Sequence, residues 1–520
     1  MYSILENPLN SSYSPIFRAQ EIKLIEQQVA ARPDAPALME KAGLAAAELA
    51  RKLLQDKPAI LIIAGPGNNG GDALVAARYL KSWWYNVTVV FTGTVTALPP
   101  EAAAALLSWQ ASGGTICSEI PAHTQWDLII DGLFGTGLAR DLTGSCLALV
   151  KQINQMNVPV LALDIPSGLD SDTGQPFKAA IRATHTLAFI AYKPGLFTAY
   201  GPDYCGNVHL ATLDISSEYL ASAKGLLLGW QAVAAPLKPR PQNSHKGMLG
   251  SVGIVGGAQS MTGAALLAAR AALKCGAGRV YAGMLDSAAP TLDMLQPELM
   301  LRTPEHLFEE NSLSCLVIGP GLGQSDTALH WLRQALASDL PLILDADALN
   351  LIAIHADIAE QLKARKAASI LTPHPAEAGR LLNCSNHEIQ QDRIGSALVI
   401  ASRFNSMVVL KGAGSICALP DDHWYINPTG NPGLSSAGMG DVLCGMIGAL
   451  IAQRMNPEKA MLLSVFLHGA AADSLVIQGT GPIGLTASEV TDEARKLLNQ
   501  WVYPATACLH ASRQAGKIDM

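Results

Sequence analysis

The chain predicts two α/β domains in succession, each a largely parallel sheet with helices on both faces. Short apolar runs of strand length, such as Ile60-Leu61-Ile62-Ile63 and Leu316-Val317-Ile318, repeatedly end in loops rich in Gly, Asn and Asp, and helical stretches follow. The composition is 49% hydrophobic and only 15% charged, with 46 glycines, which suits strands buried on both faces. A length of 520 residues exceeds what one core supports, and the alternation breaks at 230–245, where Pro236, Pro239 and Pro241 accompany Lys238 and Arg240. The expected division is a first domain at 1–222, a linker and domain entry at 223–245, a second domain at 246–503 and an unassigned tail at 504–520.

A net charge of −7 argues against a general binder of nucleic acid or anionic membrane. The nine cysteines are scattered, with no Cys-x-x-Cys pair, so neither a zinc site nor a disulfide framework is expected. The start, Met1 to Ser14, is polar where a signal peptide needs a basic start and an apolar core. No uninterrupted apolar run reaches the ~18 residues of a membrane span; the closest reading is Val442 to Gln453. The expectation is a cytoplasmic protein acting on small molecules, with neither nucleic acid nor membrane as a partner, that forms a homo-oligomer.

In the first half, Ser14-Pro15-Ile16-Phe17 reads as a cap leading a helix to about Ala30, and a second helix follows over Ala37 to Leu54. The strand Pro58 to Ala64 ends in Gly65-Pro66-Gly67-Asn68-Asn69-Gly70-Gly71-Asp72, with helix expected from Ala73. Strand, glycine-rich turn and helix in that order can cradle a phosphate, although neither Walker A nor a clean Gly-x-Gly-x-x-Gly is present. Strands at Asn86 to Phe91, Trp126 to Asp131 and Pro159 to Asp164, with helices at Pro100 to Ala111 and near Cys146 to Gln155, continue the alternation. Two of these strands deliver Asp131 and Asp164 to one sheet edge, where ligands bind in open α/β folds. Asp131 and Asp164 beside the oxygen donors Asn69 and Ser167 suit a hard cation; simple loop closure is the plainer alternative.

In the second half, a strand opens at Ser251, and Thr262 to Cys275 is a small-residue helix able to approach its sheet closely. Four strands lead into Gly319-Pro320-Gly321-Leu322-Gly323, Asp345-Ala346-Asp347, Thr372-Pro373-His374-Pro375-Ala376-Glu377 and Lys411-Gly412-Ala413-Gly414-Ser415. Gly438-Met439-Gly440-Asp441 then opens an apolar helix from Val442 to Ile451. A helix N-terminus attracts anions, and a carboxylate beside a bound phosphate is repelled unless it takes a proton from a hydroxyl attacking phosphorus. The plainer alternative makes Asp441 an N-cap, and Asp345 and Asp347 caps as well.

Gly438-Met439-Gly440-Asp441 resembles the Gly-x-Gly-Asp motif of ribokinase-like kinases, in which that Asp is the base. Thr372 to Glu377 resembles their Asn-x-x-Glu element, with His374 at the Asn position and Glu377 as the acid organising Mg²⁺. The first half, through Met39-Glu40-Lys41-Ala42-Gly43, Gly67 to Asp72, Asp131 with Gly135-Thr136-Gly137, and Asp164-Ile165-Pro166-Ser167-Gly168, looks like the N-terminal domain of the bifunctional NAD(P)H-hydrate repair enzymes. The His374 departure matches the second domain of that same family.

The resemblance implies a Rossmann-like α/β/α sandwich followed by a ribokinase-like α/β domain. The first would epimerise the R and S hydrates of NADH and NADPH; the second would dehydrate the S-hydrate using ADP, giving AMP and phosphate. In the first, Asn68, Asn69, Gly70, Gly71 and Asp72, the segment Gly135, Thr136, Gly137, Leu138, Ala139, Arg140 and Asp141, and Asp164 would hold the hydrate. Potassium would lie among Asn69, Asp131 and Ser167, and Asp164 is the acid/base candidate. In the second, Lys411, Gly412, Ala413, Gly414, Ser415 and Gly440 would bind ADP, with Ala264, Gly323, His374 and the base Asp441 facing the hydrate. The first fold also occurs as a scaffold in mRNA-decapping proteins, and the whole chain could be a kinase with a regulatory N-terminal half. The polar residues of these loops favour the enzyme.

Overall fold

A computed structural model describes residues 4–5, 13–33, 36–54, 59–122 and 124–503. The polar start before Tyr13, apart from the backbone of Ile4–Leu5, and the tail 504–520 lie outside the described residues. The chain divides into two compact units, one of Met1–Asn10 with Ser14–Leu227, the other of Ser11–Tyr13 with Leu228–Met520.

The strands of the first unit are β1 (Ile4–Leu5), β2 (Ser14–Ile16), β3 (Ala59–Ala64), β4 (Asn86–Phe91), β5 (Ile116–Cys117), β6 (Leu128–Gly132), β7 (Val160–Leu163), β8 (His185–Phe189), β9 (Asn207–Ala211) and β10 (Gly225–Leu227). Its sheet has the order β1-β9-β8-β7-β6-β3-β4-β5, with every pair from β9 to β5 parallel. Alternation along β3 shows why both faces are covered. Ile60, Ile62 and Ala64 join a core with Ile22, Ala46 and Leu74, whereas Leu61 and Ile63 join another with Val150 and Ile153. This is the Rossmann-like sandwich.

Two expectations for this half are corrected. Ser14 to Phe17 does not start a helix: Ser14–Ile16 is β2, paired antiparallel with β10, and the helix runs Ala19–Ala30. A residue before proline avoids the α region, and Arg18 N–H, bonded to Glu21 Oε2 at 2.7 Å, opens the helix instead. The helix expected from Ala73 begins at Asn68, so the glycine-rich segment is its first turns rather than a loop. Packing explains this, because a Cβ on Gly70 would stand 2.0 Å from Gly65 O and one on Gly71 2.5 Å from Met39 Cε. The segment 223–245, expected as linker and domain entry, carries β10 and a short helix, Trp230–Ala234.

The strands of the second unit are β11 (Ser251–Gly256), β12 (Arg279–Met284), β13 (Met300–Arg302), β14 (Cys315–Ile318), β15 (Leu342–Leu344), β16 (Ser369–Leu371), β17 (Met407–Leu410), β18 (Ile416–Ala418) and β19 (Trp424–Ile426). They follow the order β13-β12-β11-β14-β15-β16-β17-β18-β19, parallel as far as β17 and antiparallel after it. This is the ribokinase-like α/β domain. The helix Met439–Ala452 lies close on Thr262–Lys274, since a side chain at Gly445 would meet Ala268 O at 2.1 Å. Helix Pro457–Ile477, which the sequence did not single out, is long and apolar enough to cross a membrane by length and composition; 72% of its apolar window is buried inside the protein. Thr486, whose hydroxyl accepts from Glu489 N–H, caps the last helix, Ala487–Val502.

Candidate active sites

In the first unit, parallel pairing of β3, β6 and β7 brings their C-terminal ends together. Asp131, fully buried in β6, accepts from Ser167 Oγ (2.6 Å), Ser167 N (2.8 Å) and Leu133 N (3.2 Å). Burial pushes its carboxyl up, against the opposing pull of the Ser167 bonds. Asn69 lies one helical position in from the chain's entry to Asn68–Ser82, 8% exposed, and neither atom of its carboxamide has a hydrogen-bond partner. A Cβ on Gly135 would come 3.3 Å from the Asn69 side chain, so the loop after β6 faces that amide. A buried amide with no partner is costly, and a bound ion is one way to satisfy it.

Asp164 follows β7 in the left-handed region, φ +65°, with its N–H held by Leu187 O at 2.8 Å. Its carboxylate pairs with the ammonium of Lys193, which is fully buried and also donates to Phe189 O at 2.8 Å. Sequence reasoning missed Lys193; its signal was a lone cation ending the apolar run Ala188 to Tyr192. Asp72, in the first turns of Asn68–Ser82, is pushed well above the usual carboxyl range by burial, then by the charges of Asp164 and Glu26. Asp72 thus lies within electrostatic reach of Asp164. Asn68 is exposed, as are Ala139, Arg140 and Asp141 on the loop after β6.

In the second unit, Asp345 at the end of β15 is 2% exposed and accepts from Lys411 Nζ (2.7 Å) and Thr372 Oγ1 (2.8 Å). Burial alone would raise Asp345, yet the Lys411 charge and hydrogen bond outweigh it and hold the carboxyl below its usual value. The plainer reading of Asp345 as a cap is thus replaced by a buried ion pair. Glu377 Oε2 lies 3.9 Å from Lys411 Nζ and accepts from His374 N at 2.7 Å. His374 caps Pro375–Leu382, its Nδ1 accepting from Ala376 N and Glu377 N, and its Nε2 lies 3.2 Å from Glu377 Oε1. Burial and then Lys411 push the His374 ring down, which keeps Nδ1 an acceptor at neutral pH.

Gly440 stands directly over this pair: a Cβ there would lie 3.0 Å from Lys411 Nζ and 3.3 Å from Asp345 Oδ2. Gly438, not Asp441, is the N-cap, in the left-handed region at φ +85°. That removes the capping role for Asp441, which sits in the first turn facing Asp345, Lys411, Asp347 and Glu377. Burial, then the negative charge of Asp345, push its carboxyl up to about 7. Gly321 and Gly323 both need positive φ, +59° and +72°, and Gly323 N donates to Asp347 Oδ2 at 2.9 Å. Ala264 touches the same turn, 3.3 Å from where a Gly321 Cβ would lie. Arg393, buried and unremarked in the sequence, runs beneath the Lys411–Ser415 loop and donates to Leu410 O and Lys411 O. Ser415 Oγ turns back to Gly412 O at 3.1 Å.

Two family models match the chain: one described as YjeF-related protein N-terminus over residues 35–195, the other as NAD(P)H-hydrate dehydratase over 252–495. The chain is 39% identical over 468 residues to the bifunctional NAD(P)H-hydrate repair enzyme Nnr of Escherichia coli (strain K12), covering 89% of each. It is 37% identical over 469 residues to the enzyme of the same name from Coxiella burnetii, covering 89% of this chain and 94% of that one. Among solved structures, an ADP/ATP-dependent NAD(P)H-hydrate dehydratase from Bacillus subtilis, co-crystallized with ATP/Mg²⁺, aligns at 31% identity and TM-score 0.47 over 52% of this chain and 96% of its own.

Proposed function

The chain belongs to the bifunctional NAD(P)H-hydrate repair enzymes, and from that premise we propose how its residues divide the work. It carries a hydrate epimerase in the first unit and an ADP-dependent hydrate dehydratase in the second. The observation that carries the residue assignment is the placement of Gly440 over the Lys411–Asp345 pair, with Asp441 next in the chain and its carboxyl raised by the Asp345 charge.

In the second unit, Asp441 takes the proton of the added hydroxyl of the S-hydrate, whose oxygen attacks the terminal phosphorus of ADP as AMP leaves. The carbon–oxygen bond then breaks with its electron pair on phosphate, the neighbouring ring carbon loses a proton, and the double bond returns. A carboxyl near 7 suits a general base, being basic enough to accept the proton and substantially ionised at neutral pH. Lys411, Gly412, Ala413, Gly414, Ser415 and Gly440 hold ADP, while Ala264, Gly323 and His374 border the hydrated ring. Glu377, buried beside Lys411, is the acid that would hold Mg²⁺ carried by the nucleotide, and the ion would screen phosphate charge there.

In the first unit, Asn68 to Asp72, Gly135 to Asp141 and Asp164 hold the hydrate, and Asp164, fixed by Lys193, is the acid/base. The unpartnered amide of Asn69, with Asp131 and Ser167, fits potassium, which would fix a positive charge beside the substrate. We further read the protein as cytoplasmic, acting on small molecules with neither nucleic acid nor membrane as a partner. The exposed Met294 and Leu295 support a homo-oligomer, which sedimentation would count. The direct test incubates the protein with hydrated NADH and ADP and follows the return of reduced-nicotinamide absorbance. No return, or absorbance that returns without ADP, sinks the reading.

A further inference from the structure

A cleft of about 580 Å³ opens at the C-terminal ends of β12 and β13, walled by Asp286, Ser287, Arg302, Thr303, His306 and Glu309. None of these residues belongs to the Asp345, Lys411 and Asp441 group, yet the volume is that of a small-molecule site, about 300–1,000 Å³. One stretch of backbone ties it to the turn that carries Gly321 and Gly323. Gly257 N donates to Pro320 O (3.1 Å) and Ala258 N to Gly321 O (2.7 Å), while Gly257 O accepts from Asp286 N (3.1 Å). The cleft wall and the hydrate side of the active site are therefore one hydrogen-bonded layer.

Strand order fixes the direction. Along the edge run β12, β11, β14, β15, β16 and β17, and neighbouring strands are about 4.8 Å apart, so the cleft and the Lys411 loop are separated by roughly 24 Å. A dinucleotide whose hydrated ring lies between Gly323 and Asp441 has, by the assignment above, ADP on its β17 side, and the side towards β11 and β12 is where the cleft opens. We propose that this cleft takes the adenosine half of the hydrated dinucleotide, an inference that rests on the ring placement given under Proposed function.

The lining says which dinucleotide. Asp286, Glu309 and Glu310 offer acceptors to ribose hydroxyls and to the adenine amino group, while Arg302 already pairs with Glu310 at 3.6 Å and lies over the Tyr281 ring. A 2′-phosphate would meet three carboxylates against Arg302, already paired with Glu310, and His306, so the wall is negative on balance, and like charges across a contact are costly. The second unit accordingly favours hydrated NADH over hydrated NADPH.

The test uses the full chain, with hydrated NADH, hydrated NADPH and the hydrate of reduced nicotinamide mononucleotide, which lacks the adenosine. Ser287→Trp, at an exposed lip, should raise KM for hydrated NADH by about tenfold or more while leaving KM for ADP and turnover of the mononucleotide hydrate unchanged. Glu309→Lys, also exposed, should lower KM for hydrated NADPH relative to hydrated NADH by about tenfold. Equal KM values for mononucleotide and dinucleotide hydrates in the wild type, or no change in either variant, would overturn the cleft assignment alone. A wild type that dehydrates none of the three, or that keeps its rate as Asp441→Asn, would bring down the ring placement and this inference with it.

Discussion

Lys411 Nζ lies 2.7 Å from Asp345 Oδ1, and Gly440 leaves that ammonium uncovered, since a Cβ there would stand 3.0 Å from it. The pair has two consequences: it offers a positive charge where phosphate would arrive, and its negative partner raises Asp441.

Asp441→Asn keeps the size of the side chain but cannot accept a proton, so dehydration should fall by roughly 10²- to 10⁴-fold with ADP still bound. Epimerisation by the same protein should not change. Steady-state rates and ADP titration on one preparation decide this; near wild-type dehydration would remove Asp441 as base.

The same carboxyl fixes a pH dependence. With a folded value of about 7, kcat/KM for dehydration should rise with pH through neutrality and level off above it, and Asp441→Asn should abolish that limb. Stability runs the other way. A carboxyl raised from 3.8 to about 7 stabilises the fold while protonated, and that contribution is lost as pH rises through about 7. Asp441→Asn should therefore unfold at a higher temperature than wild type at pH 8, and a lower midpoint would contradict the assignment.

Lys411→Met leaves the buried Asp345 charge without its partner and should destabilise the protein by about 3–5 kcal/mol at neutral pH. Asp345 is held below its usual value, so the pair contributes fully above the unfolded pKa, about 3.9, and is lost as pH falls through the folded one. Urea midpoints at pH 7 and pH 3 should show a gap that narrows in acid. A constant gap would mean the loss is one of packing.

Asn69→Ala removes the unpartnered amide beside Asp131 and Ser167. If that amide holds potassium, the variant should need at least about tenfold more potassium for half-maximal epimerisation, with dehydration untouched. Potassium titration of wild type and variant reads this out, and a wild type indifferent to potassium would end the cation assignment.

The strands and the polar loops at their ends were legible because their signals are local: an apolar run of strand length followed by Gly, Asn or Asp marks a strand end wherever it occurs. Boundaries were less so. The helix at Asn68 starts before Ala73 because Gly70 packs on Gly65 and Gly71 on Met39, contacts between segments that no local pattern shows. Ser14–Ile16 became a strand because β10, some 210 residues later in the chain, pairs with it.

What the sequence by itself determined is the order of β/α units, the residue types at each strand end and the position of Gly438 ahead of Asp441. What only the tertiary structure decided is which charges meet. Lys193 beneath Asp164, Asp345 against Lys411, and the upward shift of Asp441 all depend on burial and on distances between residues far apart in the chain. Electrostatic energy is set by separation and local polarity, and neither is a property of neighbouring residues in a sequence.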